Sequence, residues 1–246
     1  MRHLKEYAQK IAVSIIPPII TAGIRAVWNR FLKCCAQPSS LLHPSEYSTL
    51  DNPLEVPAQV EAYLLCRDKY LKPTDTILDL GFGLGYGLQI MAAKVNNLVG
   101  IDVDPLAVKR GCRIFEEHPH IRKVMLYDGK RLPFEDKTFD VVTCVEVIEH
   151  TENYKGMLLE MARVARRSIF ITTPNRQPQN TLPNGQPRNY WHLREWTMSE
   201  LDAILVGLGF KYEWNCLNGP FEGPFTVTDT PTENTFSLVP VISAES

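Results

Sequence analysis

From residue 58 onward the apolar positions switch between two repeats. Short apolar runs at Thr76–Leu80, Asn97–Asp102, Lys123–Tyr127, Phe139–Val145 and Ser168–Thr173 have the length and β-branched content of buried strands. Between them, Leu84–Val95 reads as a helix, and Met157, Leu158, Met161 and Val164 return at helical spacing. Upstream, Val60, Tyr63, Leu64 and Leu71 predict a helix leading into Lys72-Pro73. Asp104 offers an N-cap with Pro105 at the first helical position. Thr197 and Glu200 form a capping box ahead of Leu201, Ile204, Leu205 and Leu208. Phe210–Cys216 and Thr235–Ile242 read as two last strands. Strands alternating with helices predict an α/β fold: a parallel sheet with helices on both faces, whose ligands bind beyond the carboxyl ends of the strands.

That pattern divides the chain. Residues 1–57 read as an N-terminal basic and apolar extension with a Pro/Ser-rich linker, and 58–246 as one domain. Within the domain, residues 174–196 form a long polar loop rich in Pro and Asn, a length typical of binding loops and lids. In the extension, Arg2, Lys5, Lys10, Arg25, Arg30 and Lys33 outnumber Glu6, and Ile11 to Ile24 is uncharged but broken by Pro17-Pro18. A spanning helix needs about 20 apolar residues, so this run is too short to cross a bilayer. Two readings stay open: short helices packing on the domain, or an element lying on an anionic membrane surface.

Composition narrows the class further. With 44% hydrophobic and 22% charged residues the 246-residue chain is not globally disordered, and a net charge of -2 argues against a surface built throughout for nucleic acid. The 6 cysteines contain no CxxC pair and no regular spacing, which suggests neither a zinc site nor a disulfide framework and suits a reducing cytoplasm.

The chemistry concentrates where strands end. Asp79-Leu80-Gly81-Phe82-Gly83-Leu84-Gly85-Tyr86-Gly87 follows the first strand, and such a turn lets backbone pass close to a ligand. A dinucleotide fingerprint would place glycine at 86, where this chain has Tyr86, and Asp79 suits a cationic amino group better than a pyrophosphate. Gly100-Ile101-Asp102 ends the second strand, where a carboxylate can accept ribose hydroxyls. Asp128, before Gly129, follows the third strand and can accept from an adenine amino group. Cys144-Val145-Glu146-Val147-Ile148-Glu149-His150 closes the fourth.

Over roughly residues 58–243 this series resembles the class I S-adenosylmethionine-dependent methyltransferases, particularly those acting on small molecules, lipids and sugars. The resemblance implies a Rossmann-like three-layer sandwich with a mostly parallel seven-stranded sheet, the last strand antiparallel. It implies S-adenosyl-L-methionine as cofactor, with Asp79 near its methionine part and Gly81, Gly83 and Gly85 lining it. Asp102 would take the ribose and Asp128 the adenine, Val103 and Gly129 would lie beside the ring, and Val145 and Glu146 would form the inner wall. One departure is Arg163-Val164-Ala165-Arg166-Arg167-Ser168, where members usually carry Lys-Pro-Gly-Gly.

An oxygen acceptor needs a base within hydrogen-bond reach. His150, placed after the fourth strand, is the first candidate; His192 is the competitor, and Glu149 is read as a solvated or capping residue with a lesser claim. Tyr190, Trp191 and Trp196 around His192 could stack on a sugar or aromatic ring, with packing the alternative for Trp196. Glu146, Glu149, His150 and a distant histidine also resemble the metal set of small-RNA 3′-terminal 2′-O-methyltransferases. The Glu-x-x-Glu-His string is common among metal-free methyltransferases, so no metal is expected. The expected activity is methyl transfer to an oxygen of a small molecule, sugar or lipid-linked acceptor. The alternatives are a metal-dependent RNA 2′-O-methyltransferase and a non-catalytic methyltransferase-like partner subunit.

Overall fold

A computed structural model describes residues 57–189, 191–220 and 224–244. The N-terminal readings, membrane-surface or packing, therefore lie outside the described residues, as does Tyr190. Eight strands form one sheet: β1 (Thr76–Leu80), β2 (Asn97–Asp102), β3 (Ile121–Leu126), β4 (Phe139–Val145), β5 (Ala165–Pro174), β6 (Lys211–Asn218), β7 (Thr226–Thr228) and β8 (Thr235–Ser243). Their order is β3-β2-β1-β4-β5-β8-β6-β7. β1 to β5 pair in parallel, and β8 runs antiparallel between β5 and β6. The fold is the expected α/β class with its last strand antiparallel. The sheet has eight strands rather than seven because the short, mostly exposed Thr226–Thr228 segment pairs antiparallel with the end of β6.

The helices are α1 (Pro57–Leu65), α2 (Tyr86–Ala92), α3 (Pro105–Ile114), α4 (Tyr154–Val164) and α5 (Met198–Gly207). Side chains alternate across a strand, so each strand feeds two cores. Ile77 of β1 and Val141 of β4 point to one face, with Tyr63 of α1, Leu88 and Met91 of α2, and Val108 and Ile114 of α3. Leu78 and Val142, one residue along, point to the other, with Leu158 and Met161 of α4 and Leu201 and Leu205 of α5. The near-continuous apolar strands follow from this, since a parallel sheet is covered on both faces.

Local boundaries have local causes. Asp104 caps α3 by accepting the Leu106 amide at 2.8 Å, with Pro105 behind it. The Thr197/Glu200 capping box is formed as expected. The first helix after β1 starts at Tyr86 rather than Leu84, because Gly85 has φ +83° and serves as its N-cap. β5 starts at Ala165, directly after α4 ends, so the usual turn is missing. Three arginines hold this joint. Arg163 donates to the carbonyls of Leu132 and Phe134, Arg166 to those of Lys137 and Thr138, and Arg167 pairs with Asp75 at 2.6 Å. This joint lies at the amino end of β5, leaving the opposite edge of the sheet free for chemistry. Among the described residues no helix is long and apolar enough to cross a membrane.

Candidate active site at the carboxyl ends of the strands

After β1 the chain turns into α2 on one face of the sheet; after β4 it continues toward α4 on the other. The neighbouring ends of β1 and β4 therefore open a crevice, the usual ligand position in such sheets. The turn at Gly81 passes so close to the neighbouring turn that a Cβ there would lie 2.5 Å from Val147 Cγ2, and its φ of +76° disfavours any side chain.

Asp102, at the end of β2, is nearly buried. Its Oδ2 accepts the Gly83 amide at 2.9 Å and its Oδ1 the Asp104 amide at 2.9 Å. Burial raises its pKa, while the amides of Asp104 and Gly83 favour the charged form. Val103, next in sequence, exposes 55% of its surface, and a Cβ on Gly129 (φ +74°) would lie 3.4 Å from its Cγ1. Asp128 is exposed at the end of β3, where its Oδ1 accepts the amides of Lys130 and Arg131; these hydrogen bonds hold its carboxyl below the usual range. Asp102, Val103 and Gly129 thus share one neighbourhood: a carboxylate tied to a glycine turn, and an uncovered apolar side chain beside a glycine. That combination fits a ribose and an adenine ring.

Asp79 lies fully buried beneath the turn. Tyr63 donates to it at 3.1 Å and Thr143 at 2.7 Å. Burial pushes its carboxyl up to about 7, against the hydrogen bonds from Thr143 and Tyr63. Sequence reasoning passed over both partners, Tyr63 among the apolar residues of its helix and Thr143 inside an apolar strand. The available signal was that a buried tyrosine hydroxyl seeks an acceptor.

The end of β4 forms the second half of the site. Val145 is buried, and Glu146 adopts φ +53°, an unfavourable conformation for a residue with a side chain. The Glu146 carboxylate accepts from Thr172 at 2.9 Å and Ser237 at 3.1 Å, which holds it against β5 and β8. Glu149 follows in a short 3-10 turn and is fully buried, with Thr173 donating to its Oε2 at 3.2 Å. The solvated reading of Glu149 is thereby corrected: the turn folds its side chain inward, under the 174–196 loop, whose Leu193 amide donates to the Glu149 carbonyl at 2.9 Å.

The same loop brings the two histidines together, with ring centroids 5.0 Å apart. His150 Nδ1 lies 3.1 Å from the Trp191 carbonyl, which can only accept, so Nδ1 carries the hydrogen. Burial and the neighbouring His192 push the His150 imidazole down to about 4, against the Trp191 carbonyl. His192 Nδ1 lies 2.7 Å from Glu195 Oε1, and its Nε2 is 2.9 Å from the Asn189 amide nitrogen. One ligand atom from each of Glu149, His150 and His192 falls within 4.8 Å of the others. Trp191 is partly exposed, whereas Trp196 is buried against Tyr154 with ring centroids 5.1 Å apart, which makes it a packing residue.

An α/β sheet of this topology, with a glycine turn after β1 and an acidic residue ending β2, is the arrangement that the resemblance to class I methyltransferases implies. A family profile described as a methyltransferase domain matches residues 78–171, spanning β1 to β5. The chain is 34% identical over 152 residues to a probable S-adenosylmethionine-dependent methyltransferase of Mycobacterium tuberculosis, covering 60% of this chain and 52% of that one. It is 32% identical over 120 residues to a ubiquinone biosynthesis O-methyltransferase of Hahella chejuensis, covering 45% of this chain and 48% of that one. It is 24% identical over 168 residues to a small RNA 2′-O-methyltransferase of Arabidopsis thaliana, covering 57% of this chain and 18% of that one. The chain thus spans about half the length of the two bacterial relatives. In fold it is similar to a SAM-dependent methyltransferase from Aquifex aeolicus, with a TM-score of 0.56 and 19% identity over 82% of this chain and 99% of that one.

Proposed function

We propose that the protein transfers a methyl group from S-adenosylmethionine to an oxygen of a small-molecule, sugar or lipid-linked acceptor. The observation that carries this reading is the pairing of two features on one sheet edge. The Asp102–Gly83 turn suits the cofactor, and the His150/His192 pair lies at the neighbouring strand end. Asp102 would hold the ribose, Val103 and Gly129 the adenine ring with Asp128 at its rim, and Asp79 would favour the cationic methionine end from below. Val145 and Glu146 would wall the cofactor's inner side.

When bound, S-adenosylmethionine supplies a methyl carbon already activated for in-line displacement by its sulfonium. The chain's own task is then mostly alignment, which can lower a barrier by roughly 7–11 kcal/mol. A hydroxyl acceptor also loses a proton as the new oxygen–carbon bond forms and the carbon–sulfur bond breaks. His150 and His192 would take it, each with its hydrogen on Nδ1 and its lone pair on Nε2. Trp191, exposed beside them, offers an aromatic face to the acceptor. The oxygen acceptor named for the Hahella relative supports this choice of atom.

The test is mass spectrometry of metabolite, lipid-linked glycan and RNA pools incubated with the protein and isotope-labelled cofactor. A labelled oxygen ester or ether of a small or lipid-linked molecule supports the reading. Labelled nitrogen or carbon products would sink it, and absence of cofactor binding would favour a non-catalytic partner subunit.

A second reading, the metal-dependent RNA 2′-O-methyltransferase, is favoured by the approach of Glu149, His150 and His192 to within 4.8 Å. A carboxylate and imidazoles are a donor set that suits several divalent ions. There these three residues would hold the ion, which when bound would acidify an acceptor hydroxyl. Dialysis against a chelator separates the two readings. Activity that survives supports the metal-free one, and activity lost and then restored by a divalent ion supports the other.

A further inference from the structure

The side chain that organises this edge is one with no role assigned so far. Glu195 is buried with 5% exposure, and it pairs with His192 at 2.7 Å. Its other oxygen, Oε2, has no hydrogen-bond partner among the described residues. Burying a carboxylate is costly unless a partner takes its charge or donates to it. A residue serving only to fill space between Arg194 and the buried Trp196 would be better apolar, so the acid has a reason to be there.

The contact acts on the imidazole. A carboxylate accepts, so the hydrogen of His192 sits on Nδ1 and the lone pair falls on Nε2. The Trp191 carbonyl imposes the same tautomer on His150. Two rings from different segments, the turn after β4 and the 174–196 loop, therefore both carry the lone pair on Nε2. That of His150 lies 3.8 Å from Glu149 Oε1, and one ring nitrogen of His192 falls within 4.8 Å of a ligand atom of each of these two residues. The two supports differ, since a backbone carbonyl is neutral and fixed by the chain while Glu195 is a side chain that can be exchanged.

We propose that Glu195 is a positioning residue that fixes His192 in the Nδ1–H tautomer and turns its Nε2 toward the acceptor edge. The inference rests on the reading of that edge as the place where the acceptor meets the methyl donor. It holds whether Nε2 takes a proton or coordinates an ion. The Asn189 side-chain amide donates to Nε2 at 2.9 Å, a hydrogen bond that an incoming hydroxyl or ion would have to displace.

Long-range proton–nitrogen NMR of the full chain, labelled with ¹⁵N-histidine and held at one neutral pH, reads the tautomer directly. His192→Ala identifies the signals. Wild type should show His192 protonated at Nδ1, and Glu195→Leu should shift it largely to the Nε2–H form that is favoured in solution. In turnover, Glu195→Leu should lower kcat ~10²-fold, within the range for a positioned acid–base group, with cofactor affinity and acceptor KM within about twofold. Glu195→Asp should recover part of kcat. The His192→Ala/Glu195→Leu double variant should be no slower than His192→Ala alone, since groups acting as a unit are not additive. Should Glu195→Leu fail to fold, Glu195→Gln replaces it, with the same expected loss and a weakened Nδ1–H preference. An unchanged tautomer overturns the proposal, as does a changed tautomer with wild-type kcat. If His192→Ala also turns over at the wild-type rate, the reading of the edge is what has failed.

Discussion

Asp102 and Gly83 are joined across the mouth of the site. The Asp102 carboxylate accepts the Gly83 amide at 2.9 Å and, through its second oxygen, the Asp104 amide at the same distance. The end of β2 therefore braces the turn that follows β1, and one residue both shapes the turn and offers an acceptor beside it. With the carboxylate so placed, the proposed ribose contact would meet an acceptor already held by two backbone amides rather than a mobile side chain, which would lower the entropy lost on binding.

Asp79 makes the site's stability depend on pH. Its carboxyl is pushed up to about 7 in the folded chain by burial, from an ordinary value of 3.8. A carboxyl raised on folding leaves stability untouched below the unfolded value. It weakens the fold as pH climbs from about 4 to about 7, because only the unfolded chain has then released the proton. The stability of Asp79→Asn relative to wild type should therefore rise between pH 4 and pH 8, by on the order of 4 kcal/mol at most. Urea unfolding at the two pH values measures it, and equal differences at both would contradict the assignment. A ligand bringing a cationic amino group should also release protons on binding near pH 7.

Tyr63 reaches Asp79 from the first helix at 3.1 Å. Removing the hydroxyl in Tyr63→Phe takes away a donor that favours the charged carboxylate. Cofactor affinity should fall about fivefold, the equivalent of one hydrogen bond of ~1 kcal/mol. Calorimetry giving wild-type affinity would show that Asp79 is not felt by the ligand.

Gly81 is the position least able to accept a side chain. In Gly81→Ala the new Cβ would meet Val147 Cγ2 at 2.5 Å, on a backbone with φ +76°. Strain and overpacking should together cost ~1–3 kcal/mol. Adding Val147→Ala should return only part of it, because the backbone strain stays. Full recovery in denaturant unfolding would assign the whole cost to the clash.

Of the two histidines, the one that receives the acceptor's proton should cost ~10²–10⁴ in kcat when replaced by Ala, with cofactor affinity nearly unchanged. Sequence position ranks His150 first, since it directly follows β4. The carboxylate on Nδ1 of His192 favours His192, because an acid there stabilises the ring once it is protonated. His192→Ala is therefore expected to be the slower variant in single-turnover assays. Mild effects in both would point to an acceptor that needs no base.

Much of this was legible in the chain. The strands Thr76–Leu80, Asn97–Asp102 and Phe139–Val145 are bounded as their apolar runs predict, since a strand buried on both faces leaves a run of unbroken hydrophobicity. Thr226–Thr228 escaped because a three-residue edge strand with a single, exposed apolar residue, Val227, carries no such pattern. Asp102, Asp104 and the Thr197/Glu200 box were readable because capping and strand-end acids act within a few residues. Glu149 was misjudged because its burial depends on the 174–196 loop closing over it, a contact made by chain 44 residues away at Leu193. Glu195 stands three residues after His192, and that spacing was its one available signal.

The central claim is that Asp102 and the glycine turn hold S-adenosylmethionine, and isothermal titration of the full chain tests it most directly. The wild type should bind S-adenosylmethionine and its demethylated product and give no heat with NAD. Asp102→Ala should bind both more weakly by about 1.5–3 kcal/mol, the range for hydrogen bonds to a charged group. Unchanged affinity in a folded Asp102→Ala, or binding of NAD in preference to S-adenosylmethionine, would contradict the account.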